Sequence, residues 1–423
     1  MKQRSPIIFI FLTVFIDLLG VGIVLPLLPY YVKIVEQSTN LWLVDNRALI
    51  VGALTSSFAL MQFLFAPVFG ALSDRYGRRP LLLFSMVGTA ISYVMFAFAD
   101  RLIGFGIEAV LAMLFASRIV AGITGASIST AQAYIADITT PETRAQGLGM
   151  IGAAFGLGFM FGPAIGGLLS TISLEAPALV AAVLSMFNFV FGLTMLQESL
   201  PLDRRTAFSV SRLNPLARLQ GVLGNSNIRQ LVYGTILFNF AFAGLQSNFA
   251  VYSDDRFGFT ATDNAFVFAF IGLVAVITQG WLIRKVMPRF GEARLALVGL
   301  ALMSASFLMV ALAPAGWFLY VATSLLAFGS GLSSPSITSM ISRRVSPQEQ
   351  GVTLGGVQAL TSLTMVIGPL FAGYVFAAVG PAAPYEIGAA LIVAALVVVG
   401  LAVRSSLNLP EANSQPANFS TQE

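Results

Sequence analysis

One charged stretch decides the fold, and it runs Gly70-Ala71-Leu72-Ser73-Asp74-Arg75-Tyr76-Gly77-Arg78-Arg79-Pro80. It is the densest cluster of charge in a chain of 423 residues, of which only 10% are charged. Apolar runs flank it at 49–69 and 81–99, and each has about the 20 residues that a membrane-spanning helix needs. Because cationic loops stay on the cytoplasmic side, the stretch is predicted to be a tight cytoplasmic turn between two antiparallel spans.

The composition is that of a polytopic, all-α membrane protein. The chain is 57% hydrophobic with a mean hydropathy of +0.85, well above the values of soluble domains. It has no cysteine and no histidine, so disulfides, thiol chemistry and the commonest metal ligands and proton shuttle are missing. Any proton carried through the membrane must therefore bind a carboxylate. We expect no metal, no cofactor and no nucleic-acid partner, since the basic residues fall in loops.

Hydropathy predicts twelve spans, at about 6–31, 48–71, 80–99, 107–136, 144–171, 176–196, 229–253, 263–286, 294–313, 317–341, 348–378 and 383–403. With the N-terminus inside, eighteen of the 23 Lys and Arg residues lie on the cytoplasmic side. This bias predicts that both termini are cytoplasmic. The first span is too long for the core of a cleavable signal peptide.

The chain divides into two six-helix halves. The predicted units are an N-terminal bundle (1–196), a cytoplasmic linker (197–228), a C-terminal bundle (229–404) and a polar, disordered tail (405–423). Within the linker, Asn214-Pro215 is typical of a helix start. The leucines that follow at helical spacing predict a short amphipathic helix on the membrane surface.

The halves are internal repeats. Three features recur at one offset of 206 residues: Gly125 with Gly331, Pro141 with Pro347, and Gly162-Pro163 with Gly368-Pro369. A constant offset over two spans and a loop indicates duplication. The charged stretch recurs only weakly, at 280–291 and without its aspartate, so an asymmetric pair of loops is expected.

The charged stretch resembles the loop signature of the major facilitator superfamily, Gly-x-Leu-x-Asp-Arg-x-Gly-Arg-Arg, at every signature position. The resemblance implies two pseudo-symmetric bundles of six helices with the substrate site between them. It also implies that this loop is a cytoplasmic latch between the bundles. The latch residues are Gly70, Asp74, Arg75, Gly77, Arg78 and Arg79. An ordinary positive-inside loop is the alternative.

Two ionisable residues lie deep in predicted spans of the first half, Asp17 and Arg118. A charge at the bilayer centre costs about 2.5–3.5 kcal/mol, so such residues are usually functional. We interpret Asp17 as a proton carrier tuned by Arg118; a permanent structural ion pair is the alternative. Arg118 opens the pattern Arg118-x-x-x-Gly122-x-x-Gly125, which resembles the family's fourth-helix motif, linked there to proton transfer. Glu108 and Glu386 lie nearer the ends of their spans and could assist.

A glycine motif in the fifth span resembles the family's antiporter signature, which most symporters and uniporters lack. Glycines at four-residue spacing let helices approach closely, and a proline bends the helix. Generic close packing is the alternative for the glycines alone. The motif residues are Gly158, Gly162, Pro163, Gly166 and Gly167. The Pro26-x-x-Pro29 end of the first span also matches a signature of the twelve-helix drug/proton antiporters.

Polar residues on cavity-facing stripes are candidate substrate contacts. They are Gln62, Ser129, Gln132, Asn239, Gln246, Gln279, Gln358 and Thr361. Arg118, Ser129 and Gln132 share one face of the fourth span, which we expect to border the central cavity. Because no ionisable group lies mid-span in the second half, that half is expected to bind substrate through amides and aromatic rings. Ordinary interhelical hydrogen bonds, worth roughly 0.6 kcal/mol each, are the alternative.

The order of motifs resembles the bacterial tetracycline and multidrug proton antiporters. This implies export of a lipophilic or amphipathic small molecule by alternating access, driven by protons, from a monomer in a bacterial inner membrane. Export of a sugar, siderophore or other metabolite on the same fold is the alternative. An enzyme is not expected, because the spans hold no carboxylate pair, histidine cluster or cysteine. A transporter-like sensor would need a larger soluble domain than the linker and tail supply.

Overall fold

The computed structural model describes residues 6–125, 127–206, 221–346 and 349–407, and twelve long helices in two sets of six dominate this part of the chain, with short helical turns between some of them. This part contains no strand. The helices of the first set are α1 Pro6–Val24, α2 Arg47–Tyr76, α3 Arg78–Ala97, α4 Ile107–Thr124 continued by Ser127–Ile138, α5 Pro141–Ser170 and α6 Ala176–Met195. Those of the second set are α7 Arg229–Phe257, α8 Ala261–Ile277, α9 Ile283–Ala311, α10 Phe318–Arg343, α11 Gln350–Ala378 and α12 Ala383–Leu407.

The helices have the length and composition of membrane spans. Among the described residues, eight stretches are long and apolar enough to cross a membrane, and one of them, Ala261–Ala311, holds both α8 and α9. The other three helices, α5, α7 and α10, have 30, 29 and 26 residues. At 1.5 Å per residue, each exceeds a hydrocarbon core of about 30 Å. The predicted twelve-helix, multi-pass architecture is confirmed.

The two halves pack against each other through equivalent helices. α5 contacts α1 of its own half and α8 of the other, and α11 contacts α7 of its own half and α2 of the other. These partners correspond under the exchange of halves, as a duplicated fold requires. The repeated glycines take part: Gly162 packs on α1, and its counterpart Gly368 packs on α7.

The charged stretch forms the turn predicted for it. α2 ends at Tyr76 and α3 begins at Arg78, so the connection is the single residue Gly77. Its φ of 104° lies in the region that glycine adopts without strain. The sharp reversal makes α2 and α3 antiparallel.

The fourth span is broken, which hydropathy did not predict. Its first piece ends at Thr124 and its second begins at Ser127. The carbonyl groups freed at the break accept side-chain hydrogen bonds, Thr124 O from Ser85 at 2.6 Å and Gly125 O from Gln62 at 3.0 Å. Such substitutes are what allow a helix to break inside a membrane.

Polar contacts join the halves at one end of the molecule, here called the closed end and defined by Tyr30, Arg47, Asp254 and Thr262. Arg47 bonds to Asp254 at 2.7 Å, and the hydroxyl of Tyr30 donates to the carbonyl of Phe259 at 3.1 Å. Thr262 donates to the carbonyl of Gly167 at 3.3 Å. Among the described residues, the hydrogen bonds between the halves all lie at this end.

The opposite end carries the Gly77 turn and the start of the linker, and is called the linker end. The predicted amphipathic helix beginning at Asn214-Pro215 lies outside the described residues. The tail also lies outside them, apart from the last turn of α12, which continues to Leu407.

Candidate functional site

Asp17 lies partly buried in the middle of α1. It borders a narrow pocket between α1, α3 and the second piece of α4, with Thr13, Ser85 and Ile128 in the wall. Ser85 also donates to the carbonyl of Thr124, at the end of the first piece of α4. Asp17 therefore shares this pocket with a residue that satisfies the end of that helix.

Arg118 is buried in α4, with a side chain 5% exposed. Its guanidinium lies over the ring of Phe96, 4.7 Å from the ring centre, and its Nε is 3.5 Å from the hydroxyl of Ser117. Its Nη2 has no hydrogen-bond acceptor among the described residues. The pairing of Asp17 with Arg118 stays a prediction. A buried cation is costly unless it is compensated, and ionisable residues inside a membrane are usually functional.

Tyr93 of α3 is buried near α1 and lies within electrostatic reach of both charges. Its side chain is 2% exposed, and a Cβ placed at Gly20, one turn beyond Asp17, would lie 3.1 Å from the Tyr93 hydroxyl. The hydroxyl is close enough to both Asp17 and Arg118 to feel their charges. It has no hydrogen-bond partner among the described residues. Sequence analysis missed Tyr93, because an apolar span with one tyrosine gives no sign of what it faces.

Part of the polar stripe of α4 packs on α2. Gly122 lies against the backbone of Phe58, and Ser129 donates to the carbonyl of Ala66 at 3.4 Å. Gln62 of α2 donates to the carbonyl of Gly125, as described above. Gln132, further along the stripe, is exposed. Small and polar residues at helical spacing suit a close helix–helix contact, and the expectation that the stripe borders the central cavity stays a prediction.

The glycines of α5 bring its backbone against α1. A Cβ at Gly162 would lie 2.6 Å from the Cα of Gly22, and one at Gly158 would lie 3.0 Å from the backbone of Leu18. A Cβ at Gly166 would lie 2.7 Å from the carbonyl oxygen of Ile23. These contacts run along the same helix as Asp17 and begin one residue after it.

Gly167 faces the other way, towards the second half. A Cβ there would overlap the side chain of Ala265 in α8. Further along, Gly272 of α8 packs on the backbone of Met160. Pro163 is buried within α5 between these two faces. The glycine motif thus makes α5 a rigid connection between the helix that carries Asp17 and the interface of the halves.

Arg78 is the centre of the charged loop. Its Nη1 lies 2.6 Å from the carboxylate of Asp74, and its Nε donates to Asp137 of α4 at 3.1 Å. It also donates to the hydroxyl of Ser73 at 2.6 Å. The Arg78 side chain is 9% exposed, so this is a partly desolvated network that fixes α2, α3 and α4 at the linker end.

Glu198, at the start of the linker, caps α3. It accepts from the backbone N–H of Arg78 at 2.8 Å and of Arg79 at 3.2 Å, two of the donors that a helix N-terminus leaves unsatisfied. The carboxylate lies under Gly77, where a Cβ would collide with it, and Arg205 approaches to 3.9 Å. This is a further reason for glycine at the turn.

The remaining loop residues make local contacts. Arg79 donates to the carbonyl of Leu193 at 2.7 Å, and the exposed Arg75 lies over the ring of Tyr76. A Cβ at Gly70 would meet nothing within 4 Å. In this structure the described bonds of the loop stay within the first half and the linker. The predicted latch between the halves remains a prediction about another conformation.

A cavity of about 650 Å³ opens in the second half. It contains two of the predicted substrate contacts, Asn239 and Gln279, and two phenylalanines. Three hydroxyl residues on one face of α10, at four-residue spacing, also line it: Ser330, Ser334 and Thr338. Its other lining residues are Phe238, Phe242, Pro335, Ser339, Ser342, Leu354 and Met365.

The cavity presents hydrogen-bond acceptors. Asn239 donates its amide to the carbonyl of Thr235 at 2.8 Å, which leaves its carbonyl oxygen for a ligand. Ser330 and Thr338 donate to carbonyls of their own helix, at 3.3 and 2.9 Å, and keep free lone pairs. Gln246, Gln358 and Thr361 are not among the lining residues. The hydroxyl face of α10 was missed, although its four-residue spacing is visible in the sequence.

The loop, the glycine face and the duplicated bundles identify the family, and so does direct comparison. The family model described as Major Facilitator Superfamily matches residues 10–290 and 285–422. The chain belongs to this superfamily. Its described fold, its repeat and its motifs are therefore those of a superfamily of membrane transporters.

Curated relatives within the superfamily include tetracycline resistance proteins. The class C protein of Escherichia coli is 38% identical over 380 residues, which cover 89% of this chain and 91% of the relative. The class G protein of Vibrio anguillarum is 35% identical over 87% of this chain and 89% of the relative. Among solved structures, the human organic anion transporter MFSD10 (TETRAN) is 27% identical and superimposes with a TM-score of 0.70, over 94% of this chain and 100% of that one.

Proposed function

We propose that this superfamily member is a proton-coupled antiporter that exports a lipophilic or amphipathic small molecule, tetracycline-like or multidrug. The similarity to tetracycline resistance proteins supports a drug exporter, and the glycine face of α5 supports antiport. The excess of Lys and Arg at the linker end supports a bacterial inner-membrane protein with both termini in the cytoplasm. In that orientation the structure, closed at the opposite end, is an inward-open state of a monomer.

The observation that carries the proposal is the arrangement of Asp17, Tyr93 and Arg118. Asp17 is a carboxyl group near mid-membrane, and Arg118 is a buried cation whose Nη2 has no acceptor among the described residues. In the proposal, charged Asp17 is attracted to Arg118, and protonation removes that attraction. The Tyr93 hydroxyl, which both charges reach electrostatically, would donate to the carboxylate in one state and accept from the guanidinium in the other. The second half offers no comparable group mid-span, which is why the proton is assigned to the first.

α5 is the element that would transmit the change. Any shift of α1 that accompanies protonation of Asp17 meets the backbone of α5 at Gly158 and Gly162. α5 in turn meets α8 of the other half through Gly167. A protonation event in one half therefore acts directly on the interface about which the halves rock.

The substrate is proposed to enter from the linker end and bind in the cavity of the second half. The acceptors there, Asn239, Ser330 and Thr338, suit a molecule with hydroxyl or amide donors, and the two phenylalanines suit an apolar ring system. The chain then opens at the closed end, releases substrate and takes up a proton on Asp17. In this outward-open state the loop around Asp74 meets the second half as a latch. Substrate and proton must each change the other's affinity by the same factor.

A second candidate is export of a metabolite, such as a sugar, a siderophore or an organic anion. The buried charge of Arg118 and the similarity to the human organic anion transporter favour an anionic substrate among these. This alternative keeps the fold and the proton coupling and changes only the cargo.

The test is proton flux in liposomes that contain the purified protein under an imposed pH gradient. Tetracycline, a lipophilic cation dye, a sugar and an organic anion are added in turn. Proton release on addition of tetracycline or the dye supports the proposal. Release only with the sugar or the anion replaces the substrate class. Release with none of them contradicts proton-coupled drug export.

A further inference from the structure

The second half has its own basic segment, Trp281–Arg294, which begins in the turn after α8 and continues into the first part of α9. A π-helical turn, Thr278–Leu282, lets the chain continue from α8 into the helix beginning at Ile283, and the next change of direction is at Gly291, where φ is 75°. From Ala261 to Phe290 the chain makes 30 helical residues, about 45 Å at 1.5 Å per residue. A hydrocarbon core is about 30 Å thick, so the last turns reach the level of the lipid headgroups.

The basic residues of this segment are free of acidic partners in the described part of the chain. Arg284, Lys285, Arg289 and Arg294 are all exposed, and none takes part in a salt bridge there. The one acidic residue of the segment, Glu292, is held by Arg343 at 3.2 Å and by Ser339 at 2.6 Å.

The equivalent loop of the first half is arranged differently. Its Arg78 is bound by Asp74 and Asp137, and Arg79 is bound by the carbonyl of Leu193. Duplication therefore preserved basic residues at both positions, while only the first loop kept the protein's own acceptors. Within the described part of the chain, the positive charge of the second loop has no acidic partner and is available to an external anion.

An apolar groove of about 440 Å³ lies beside these charges. Leu282, Val286 and Phe290 form one face of the segment, and Arg294 stands within the groove wall. The remaining lining residues are Leu295, Leu297, Val298 and Leu332. Phe290 and Val298 are 53% and 49% exposed, so the groove opens on the outer surface, where a membrane would cover it.

Helical geometry places two of the four cations at the edge of the groove. Lys285 and Arg289 lie within about 100° of Val286 on the helix, whereas Arg284 lies on the opposite side. Lys285 also lies over the ring of the exposed Trp281, 4.2 Å from its centre. An interfacial tryptophan beside Lys and Arg is typical of the headgroup level of a membrane.

We propose that this groove binds an anionic phospholipid, with the headgroup phosphate at Lys285, Arg289 and Arg294 and an acyl chain along Leu282, Val286 and Phe290. Charge complementarity selects the anionic headgroup. The apolar, membrane-facing groove selects a lipid over a soluble anion, because a free phosphate would leave that surface uncovered. The bound lipid would hold the basic segment, Trp281–Arg294, in place at the linker end.

Trp281 is a natural reporter for this site. The chain has three tryptophans, and the other two, Trp42 and Trp317, precede α2 and α10 at the closed end. Both are exposed, so W42F/W317F leaves Trp281 as the single fluorophore at little structural cost. Phosphatidylglycerol with brominated acyl chains quenches a tryptophan that it touches.

The experiment compares quenching of Trp281 in phosphatidylcholine nanodiscs doped with brominated phosphatidylglycerol or with brominated phosphatidylcholine. We expect half-quenching at a fraction of brominated phosphatidylglycerol about tenfold lower than the fraction of brominated phosphatidylcholine that is needed. The reason is that each basic residue near the surface adds to the binding free energy of an anionic lipid. About 0.5 M salt should reduce the preference. K285Q/R289Q/R294Q should abolish it, while R284Q, in the same segment on the opposite face, should keep most of it.

Equal quenching by the two lipids in the W42F/W317F protein would overturn the proposal, and this comparison needs no charge variant to fold. Preference unchanged in K285Q/R289Q/R294Q, or lost to the same extent in R284Q, would also overturn it. The latter result would mean that general positive charge, and not this groove, attracts the lipid.

Discussion

Arg47 of α2 and Asp254 of α7 join the two halves through a hydrogen-bonded ion pair, Nη2 to Oδ2 at 2.7 Å. Arg47 is only 6% exposed and also bonds to Glu36 at 2.9 Å and Asp255 at 3.2 Å. Its remaining contact is the carbonyl of Pro29, at 3.2 Å. Arg47 therefore donates to acceptors of both halves and holds the closed end together.

Replacing Arg47 should open the closed end. Arg47→Gln leaves the buried carboxylate of Asp254 without its buried cation, and separation of the halves relieves this cost by exposing the carboxylate to water. Since the chain has no cysteine, Ala265→Cys provides one thiol at the buried contact between α8 and Gly167. We expect maleimide to label it about tenfold faster or more in the Arg47→Gln background.

Lys33→Gln is the matched control for this experiment. Lys33 bonds to the same Asp254 at 2.8 Å, but its side chain is 45% exposed and the pair is screened. Its loss should change the labelling rate little. Equal rates in the two variants would mean that burial of Arg47 is not what closes this end.

A methyl group at Gly162 should disrupt the packing of α5 on α1. Its Cβ would lie 2.6 Å from the Cα of Gly22. The neighbouring atoms belong to the backbone of α1, which cannot move aside as a flexible side chain could. Overpacking of this kind costs about 1–3 kcal/mol. Gly162→Ala should lower the melting temperature in detergent and reduce transport.

Gly156→Ala is the control on the same helix, because nothing lies within 4 Å of its Cβ. It should leave both melting temperature and transport unchanged or slightly improve stability, since alanine favours a helix. If the two alanine variants had the same melting temperature and transport rate, the close contact of α5 with α1 would not be needed for stability or transport.

Glu198 should be needed for the start of α3. Glu198→Ala removes the acceptor of the backbone N–H groups of Arg78 and Arg79, and loss of a helix cap costs about 1 kcal/mol. Hydrogen exchange at the first turn of α3 should become about fivefold faster, which is that free energy expressed as a ratio. Asp203→Ala, in the neighbouring turn Leu202–Arg204, should have no such effect. Unchanged hydrogen exchange in Glu198→Ala would mean that Glu198 does not stabilise the first turn of α3.

Asp100, in the turn between α3 and α4, should make the protein less stable as pH rises. Burial, and then the nearby Glu175, raise the pKa of this carboxyl above its usual value. The folded state therefore favours the protonated form, and stability falls as pH increases from about 4 through the raised pKa. Asp100→Asn should melt at a higher temperature than the wild type at neutral pH, and the difference should narrow below about pH 4. A difference independent of pH would contradict this origin.

The span pattern could be predicted because a bilayer imposes long apolar runs and a charge asymmetry that one sequence displays directly. The Gly77 turn and the 206-residue repeat followed from residue identity and spacing alone. The roles of Glu198 and Asp137 did not, because both lie far along the chain from Arg78, and only the packing of three helices brings them to it. The break of α4 was hidden for a similar reason: Ser85 and Gln62, on other helices, satisfy its backbone.

The candidate site was predicted only in part. A charge at mid-span marks Asp17 and Arg118, but sequence cannot give the rotation of one helix against another. It therefore could not show that Tyr93 lies near both charges, or that Gly122 and Ser129 pack on α2. Polar residues on a helix face serve cavities and helix contacts alike, and neighbouring helices decide which.

Asp17→Asn tests the central claim most directly, in liposomes where uphill and downhill transport of the substrate are measured side by side. The variant cannot exchange a proton, so tetracycline accumulation driven by a pH gradient should vanish. Downhill exchange of labelled for unlabelled tetracycline needs only the cavity and the rocking of the halves, and should persist. If the variant still accumulated tetracycline against its gradient, Asp17 would not be the proton carrier and the proposed coupling through α1 and α5 would be wrong.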